Sequence, residues 1–274
     1  MRRKLVRSLV AWLVLAPLIV VILFPFAVML VTALKPAQEV LSPNWWPSEV
    51  RLSNFVEMWQ ATGFGAALLN SVYVALLSTF VTLLVGIPAA YAAARLPFPG
   101  QGPYRQFLLV TQMLSPIVLV IGLFRVAAGF GLLDSVSAVG LIYAAFNTAF
   151  AVWMLQSYFA TIPKDLEEAA WIEGAGWFRA LTSVFLPLAT PAMTVTAIFT
   201  FINAWNEFVI ALTLLRSQGS YTLPIQIFSL VAGRYTVEWH HIMAATLLAT
   251  LPVAVVFAWL QRYLVRGLAL GAVK

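Results

Sequence analysis

Four polar side chains in an otherwise apolar segment have the spacing of one helix face. Thr196, Thr200, Asn203 and Glu207 occur at positions i, i+4, i+7 and i+11. Their hydroxyl, amide and carboxyl groups can line a hydrated path and hydrogen-bond a hydroxyl-rich solute. The alternative for any single residue is a bond to a neighbouring helix, because Ser, Thr and Asn also hold helices together in lipid. As a set, the four predict the wall of a solute pathway.

Other uncharged polar residues recur in two further apolar segments. Tyr143, Asn147 and Gln156 lie in one of them, and Gln112 and Ser115 lie in another. Ionisable groups inside these segments are almost absent, although proton- or sodium-coupled carriers depend on them. The pattern argues against a proton- or sodium-coupled carrier that depends on carboxylate relays.

Catalytic and metal sites are not indicated. The two histidines are the adjacent His240 and His241, Cys is absent, and Glu238 is the one nearby carboxylate. A metal site needs more ligands than this, so we expect an interfacial helix cap there and no bound metal. A membrane-embedded enzyme would need a His with Asp or Glu at membrane depth, and none is visible.

The chain carries no phosphate-binding loop for ATP. That loop requires a Gly-Lys pair, whereas the residues before the four lysines are Arg3, Leu34, Pro163 and Val273. We therefore expect no ATP hydrolysis and no bound cofactor on this chain.

The composition is that of a polytopic membrane protein. Of 274 residues, 62% are hydrophobic and 9% charged, against about 25% charged residues in an average soluble domain. The 16 Lys and Arg exceed the 10 Asp and Glu, but they are scattered and do not form the patch that a nucleic acid requires. Soluble enzymes and nucleic-acid-binding proteins are therefore disfavoured.

Six charge-poor runs are long enough to cross a bilayer as helices. They cover Ser8–Leu34, Ala66–Ala94, Gln106–Phe124, Val136–Ile162, Leu181–Glu207 and His241–Leu260. Eleven Lys and Arg lie on the side that holds both termini and five on the other, so both termini are predicted to be cytoplasmic. The expected architecture is one all-α transmembrane domain over residues 1–274, with external loops at about 35–65 and 216–240.

The predicted cytoplasmic loop at about 163–183 is acidic and also rich in apolar residues. Asp165 and Glu168 have the spacing of a capping box, which predicts a helix start. Gly174 is placed to end that helix, because glycine accepts the left-handed conformation just past a helix end. A second short helix, about Trp177–Ser183, is expected to continue into the fifth span.

A longer motif runs through this loop into the fifth span. It comprises Glu168-Ala169-Ala170, three residues, Gly174, nine residues, Val184, one residue and Leu186-Pro187. It resembles the EAA loop of permease subunits in ATP-binding-cassette (ABC) importers, with Val184 in place of an Ile. The tail from Gly267 to Lys274, with Gly271, is similar to that of the maltose-type carbohydrate permeases. Trp205-Asn206-Glu207-Phe208, together with Asn70-Ser71, matches the same group.

The resemblance implies a type I ABC-importer permease fold in the cell inner membrane. It further implies a heterodimer with a second permease subunit, two ABC ATPase subunits that bind ATP and Mg, and an extracytoplasmic solute-binding protein. The implied ATPase-coupling residues are those of the motif, with Gly267, Gly271 and Lys274 near the ATPase. The implied contact with the binding protein is the external segment 217–238, in which Tyr221 and Tyr235 supply aromatic groups.

The implied cargo is a sugar or oligosaccharide. The same machinery carrying glycerol phosphate or another polar solute is the alternative, because the tail does not choose among members of the group. An alternative of another class is a stand-alone secondary carrier or channel. It would need its own coupling residues or filter and would leave the acidic cytoplasmic loop unexplained.

Overall fold

The structure is a computed structural model that describes residues 2–232 and 237–271, with side chains described over 12–232 and 237–259. All regular secondary structure in the described part of the chain is helical. The α-helices are α1 (Arg2–Ala33), α2 (Ser53–Ala61), α3 (Phe64–Arg95), α4 (Gln101–Met113), α5 (Pro116–Gly129), α6 (Val136–Phe159), α7 (Lys164–Ile172), α8 (Trp177–Ala180), α9 (Leu186–Asn206), α10 (Val209–Leu214), α11 (Leu223–Ser229) and α12 (Trp239–Gly271). The all-α prediction is confirmed.

Five of the six predicted spans are continuous helical segments, long and apolar enough to cross a membrane. They are α1, α3, α6, the run from α8 through α9, and α12. Most side chains in the apolar windows of α1, α3, α9 and α12 are not buried, as expected for helices that meet lipid and partner helices, whereas 56% of the α6 window is buried.

The third predicted span, Gln106–Phe124, is not one helix, and the prediction is wrong in this respect. It is divided between α4 and α5, whose axes bend by 96°. Leu114 and Ser115 between them have extended ψ angles of 116° and 134°. The cause is Pro116, which has no N–H to donate and pushes the preceding residue out of the helical region. Counted as one broken span, the pair brings the total to six.

By contacts between its residues, the chain divides into two compact units. One combines residues 1–65 with 226–252. In it, the Asn54 amide of α2 donates hydrogen bonds to the carbonyl oxygens of Ala33 and Lys35, at 2.8 and 2.9 Å, and so satisfies acceptors left free at the end of α1.

The other unit combines residues 66–225 with 253–274 and contains the predicted cytoplasmic loop and the predicted polar stripe. Its core joins α3, α6 and α9 through fully buried side chains that include Tyr91, Leu155, Phe159, Phe185 and Ala189. Phe185 contacts the rings of Tyr91 and Phe159 edge-on, with centroids 4.9 and 5.6 Å apart. This cluster lies directly beside the predicted cytoplasmic loop.

A π-helical turn, Leu181–Phe185, joins α8 to α9. The wide turn precedes Pro187, and Pro191 follows one turn later. Because Pro191 has no N–H, the hydroxyl of Thr190 donates instead to the carbonyl oxygens of Leu186 and Pro187, at 3.1 and 3.0 Å. The predicted second short helix does continue into the fifth span, as a 30-residue run from Trp177 to Asn206.

Candidate coupling loop and polar cavity

The loop between α6 and α9, residues 160–185, is called the coupling loop below. Its first helix, α7, ends in a Schellman motif: Ala175 N donates to Ala170 O and Gly174 N to Trp171 O, each at 2.9 Å. Gly174 has a φ of +81°. The predicted helix end at Gly174 is confirmed, and the position requires the left-handed conformation that glycine accepts without strain.

The start of α7 differs from the prediction. The helix begins at Lys164 after Pro163, and no side chain caps it, so the predicted Asp165–Glu168 capping box is wrong. Pro163 already sets an extended entry to the helix, which leaves Asp165 inside the first turn. There its carboxylate can still favour the helix through the dipole, without accepting a backbone hydrogen bond.

The motif residues of the coupling loop are largely accessible. Glu168, Ala169 and Pro187 are exposed, whereas Ala170 and Leu186 are partly buried. Around them, large apolar side chains are also exposed: Leu166, Trp171, Ile172, Trp177 and Phe178. Five large exposed apolar side chains beside the exposed Glu168 are typical of a docking face for another protein.

Sequence reasoning missed the residue that fixes this loop. Glu167, next to the motif, is buried at 4% exposure. Tyr91 of α3 donates its hydroxyl to Glu167 Oε1 at 2.7 Å, and Arg95 Nε lies 3.8 Å from Glu167 Oε2. No local pattern signals this role, because the partners are far away in sequence.

A polar cavity of about 290 Å³ opens between α4, α6 and α9. Its wall contains hydroxyl, amide and carboxyl groups in addition to apolar side chains. The polar members are Thr111, Gln112, Tyr143, Asn147, Asn203 and Glu207. The described part of the wall contains no Lys or Arg, so the cavity suits neutral hydrogen-bonding groups.

The four residues of the predicted stripe separate in space. Asn203 and Glu207 lie on the cavity wall. Thr196 and Thr200 are fully buried outside it, and Thr196 donates its hydroxyl to Ala192 O of its own helix at 2.8 Å. Of the other polar residues, Gln112, Tyr143 and Asn147 join the wall, whereas Ser115 precedes α5.

Glu207 lies where α9 stops and α10 begins. Its carboxylate accepts the Tyr143 hydroxyl hydrogen bond and the backbone N–H groups of Ile210 and Ala211, from 3.0 to 3.3 Å. The negative charge therefore caps the N-terminus of α10, where the helix dipole favours an anion. Much of its hydrogen-bonding capacity is used within the protein.

The segment after α10 is fixed by an acidic residue from the turn before α6. Asp134 Oδ1 accepts the backbone N–H groups of Arg216 and Ser217 at 2.9 and 3.0 Å, and the Ser220 hydroxyl also donates to it. The hydrogen bond from Ser220, followed by those from the backbone, holds the pKa of the Asp134 carboxyl well below its usual range. Asp134 itself has a φ of +61°.

The start of α3 holds the same segment from another side. Asn70 Nδ2 donates to Gly219 O and Tyr221 O at 2.9 and 3.0 Å. Ser71 Oγ accepts the backbone N–H of Leu223 at 2.7 Å. The segment from Arg216 to Leu223 is thus positioned by three side chains distant in sequence. Tyr235, predicted to contact a binding protein, lies outside the described residues.

The two histidines, predicted to form an interfacial helix cap, lie in the first turn of α12, and His241 is close to two carboxylates. His241 Nδ1 lies 2.9 Å from Glu238 Oε2, and His241 Nε2 lies 3.9 Å from Glu57 Oε2. Within the described residues, no group of three or more His, Cys, Asp and Glu is arranged to hold a metal ion. At the C-terminus, Gly267 and Gly271 lie in α12, and Lys274 lies outside the described residues.

Comparison with known proteins gives consistent results. The family described as "Binding-protein-dependent transport system inner membrane component" matches residues 82–270. The trehalose/maltose transport system permease protein MalG of Thermococcus litoralis is 34% identical over 93% of this chain and 92% of its own. The trehalose transport system permease protein SugB of Mycobacterium tuberculosis is 34% identical over 96% and 97%.

The fold is also similar to that of a solved structure. A chain of a bacterial ABC transporter that imports the acidic polysaccharide alginate superposes with a TM-score of 0.80. The match covers 96% of this chain and 98% of that one at 21% identity. Both the type of helical fold and the sequence relatives therefore lead to one conclusion: the chain belongs to the binding-protein-dependent transport system inner membrane components, the multi-pass permease subunits of ABC importers.

Proposed function

We propose that this permease forms half of the pathway for a neutral sugar or oligosaccharide. The observation that carries the proposal is the cavity wall, in which Gln112, Asn147 and Asn203 supply amide groups and Tyr143 a hydroxyl. Such groups match the alternating donors and acceptors of sugar hydroxyls. The names of the trehalose and maltose permeases among its relatives support the same cargo class.

The cavity disfavours the phosphate alternative. A phosphate-bearing solute is normally met by Arg, Lys or a free helix N-terminus. On this wall the described residues include no such cation, and the N-terminus of α10 already holds the Glu207 carboxylate. Glycerol phosphate is therefore the weaker candidate.

The partners belong to the same proposal. The chain pairs with a second permease, and two ABC ATPase subunits, which bind ATP and Mg, dock on the coupling loops. An extracytoplasmic binding protein delivers the sugar to the segment from Ser217 to Glu238. The exposed apolar face around Trp171, Ile172 and Phe178 supports docking of an ATPase, and a short helix in a partner's groove is a common recognition mode. The tail from Gly267 to Lys274 is proposed to approach the ATPase.

Reconstitution tests the proposal directly. The chain is co-expressed with the second permease, ABC ATPase and binding protein of its own genome, and the complex is placed in proteoliposomes. ATP-dependent uptake of labelled trehalose, maltose and glycerol 3-phosphate is then compared. We expect uptake of a sugar that requires both ATP and binding protein. Uptake in the absence of both ATP and binding protein would support a stand-alone carrier instead. Preferential uptake of glycerol 3-phosphate would reject the cargo proposal.

A further inference from the structure

Two adjacent glutamates of α7 have opposite environments. Glu168 is exposed, and as part of the EAA motif it is the residue that the sequence singles out. Glu167 points inward, with a side chain only 5% exposed. A buried carboxyl group is costly unless it is paired and hydrogen-bonded, so the contacts of Glu167 decide how this helix is held.

Glu167 is bound by the last turns of α3. The Tyr91 hydroxyl donates to its Oε1 at 2.7 Å, and Arg95 Nε lies 3.8 Å from its Oε2. The Arg95 side chain is itself 4% exposed. Both partners of the ion pair are therefore removed from water. In this buried position their mutual attraction is only weakly screened.

Arg95 connects this pair to two further elements. Its Nη2 donates to the carbonyl oxygen of Phe159 at 2.7 Å and to that of Ile162. These hydrogen bonds cap the C-terminal end of α6. Its guanidinium carbon lies 5.0 Å above the ring centroid of Phe185 in the π-helical turn. One side chain thus joins the ends of α3 and α6, the coupling helix α7 and the beginning of the fifth span.

This arrangement makes α7 part of the helix bundle and not a free connector. Removing the carboxyl group leaves the buried guanidinium without its counter-charge, which is strongly unfavourable. Removing the Tyr91 hydroxyl deletes one hydrogen bond and keeps the ion pair. Through Glu167, α7 is therefore bound to α3 and, by way of Arg95, to the end of α6.

We propose that Glu167 is a positioning residue of the coupling loop, which converts displacement of α7 into movement of the transmembrane helices. The proposal rests on the proposed function, because it assumes that an ATPase docks on the opposite face of α7. It assigns docking and transmission to two adjacent residues: Glu168 faces the partner and Glu167 holds the helix to the bundle.

The test compares the number of sugar molecules transported per ATP hydrolysed in the reconstituted complex. The variants are Tyr91→Phe, Glu167→Gln and Glu167→Leu. Tyr158→Phe is the matched control, because the Tyr158 hydroxyl also donates one hydrogen bond, but to Leu188 O of α9 at 3.2 Å and not to α7.

We expect the transport-to-hydrolysis ratio to fall about tenfold in Tyr91→Phe, as for loss of one hydrogen bond to a charged group. It should fall about a hundredfold or more in Glu167→Leu, where the buried pair is broken. Glu167→Gln keeps an acceptor for Tyr91 and should lie between them. Tyr158→Phe should retain the wild-type ratio.

A second measurement reports on the position of the helix itself. The chain has no native cysteine, so spin labels can be placed by Lys164→Cys at the start of α7 and Leu84→Cys on α3, both at exposed positions. The distance distribution between them should broaden in Glu167→Leu and in Tyr91→Phe, and remain narrow in Tyr158→Phe.

An unchanged ratio in Tyr91→Phe and Glu167→Gln would overturn the proposal, even if less complex assembled, because that is the result of a purely structural role. Loss of ATP-dependent transport in the wild-type complex would instead reject the proposed function. The two failures are thus distinguished by the wild-type measurement.

Discussion

Asn203 of α9 donates a hydrogen bond across the polar cavity to Asn147 of α6, with 3.3 Å between Nδ2 and Oδ1. Asn147 in turn donates its own amide to Tyr143 O at 2.9 Å. The two side chains leave further donors and acceptors free toward the cavity, because an amide has more hydrogen-bonding capacity than one bond uses. We therefore propose that these two amides exchange hydrogen bonds with a passing sugar.

We expect Asn203→Leu to lower the rate of sugar uptake by up to about tenfold, the effect of losing one or two hydrogen bonds to the solute. Affinity of the binding protein for the sugar should not change. The control is Asn206→Leu, because Asn206 is exposed and donates only to Ile202 O of its own helix, at 3.0 Å. Equal uptake by the two variants in proteoliposomes would remove Asn203 from the pathway.

Gly174→Val should weaken ATPase binding while the protein still inserts and assembles with the second permease. A Cβ at Gly174 meets no atom within 4 Å, so the whole effect comes from the φ of +81°, which a β-branched residue resists. The strain is about 1–2 kcal/mol, too small to unfold the bundle but enough to misdirect α8. Co-purification of the ATPase measures the result.

Gly176→Val provides the matched control for this prediction. Gly176 lies two residues on, also has open space around its Cβ position, and has an ordinary φ of −73°. It should retain the ATPase, and Gly174→Asn, which tolerates the left-handed region, should retain more than Gly174→Val. If the two valine variants behave alike, side-chain bulk and not backbone conformation is responsible.

The features that the sequence predicted well are those fixed by local chemistry. Runs of apolar residues located the membrane helices, and Gly174 marked the end of α7 because few other residues accept its φ. Pro116 accounts for the position of the break in the third span, but the 96° angle between α4 and α5 depends on how both halves pack. Local sequence does not specify that angle.

The features that it did not predict depend on distant partners. Glu167 is buried against Tyr91, which lies 76 positions earlier in the sequence. The residues next to Glu167 do not indicate this contact. The helical period predicted Thr200 and Asn203 on one wall, but Thr200 is fully buried outside the cavity and Asn203 lies on its wall. The period does not say how far along the helix axis the cavity extends, and only the last turns of α9 reach it.

The topology prediction can be tested by single-cysteine labelling, since no native cysteine competes. Trp46→Cys and Ile172→Cys place a thiol at positions 72% and 87% exposed. In spheroplasts, a membrane-impermeant maleimide should label position 46 directly and position 172 only after permeabilisation. Val20→Cys, in the middle of apolar α1, should remain unlabelled under both conditions. Direct labelling at 172 would reverse the predicted orientation.

Asp134 should control how firmly the segment from Arg216 to Ser220, which is predicted to be external, is held. Asp134→Ala removes the carboxylate oxygen that accepts both backbone N–H groups. It also places alanine, which has no polar side chain to form a local hydrogen bond, at a φ of +61°. Hydrogen exchange at the Arg216 and Ser217 amides should accelerate by about tenfold or more, as for loss of a hydrogen bond to a charged group. Asp134→Asn keeps an acceptor oxygen and tolerates the left-handed region, so its exchange should rise less.

The same contact has a defined dependence on pH. The pKa of Asp134 is lowered in the folded protein, so its contribution to stability is complete above the unfolded value of about 4 and is lost as the pH falls through the lower folded value. Protection of the two amides should therefore be constant from neutral pH to about 5 and decline only in stronger acid.

Because this segment is proposed to receive the binding protein, Asp134→Ala should also reduce binding-protein stimulation of ATP hydrolysis while basal hydrolysis persists. Normal stimulation together with fast amide exchange would separate the two roles and exclude this segment from docking.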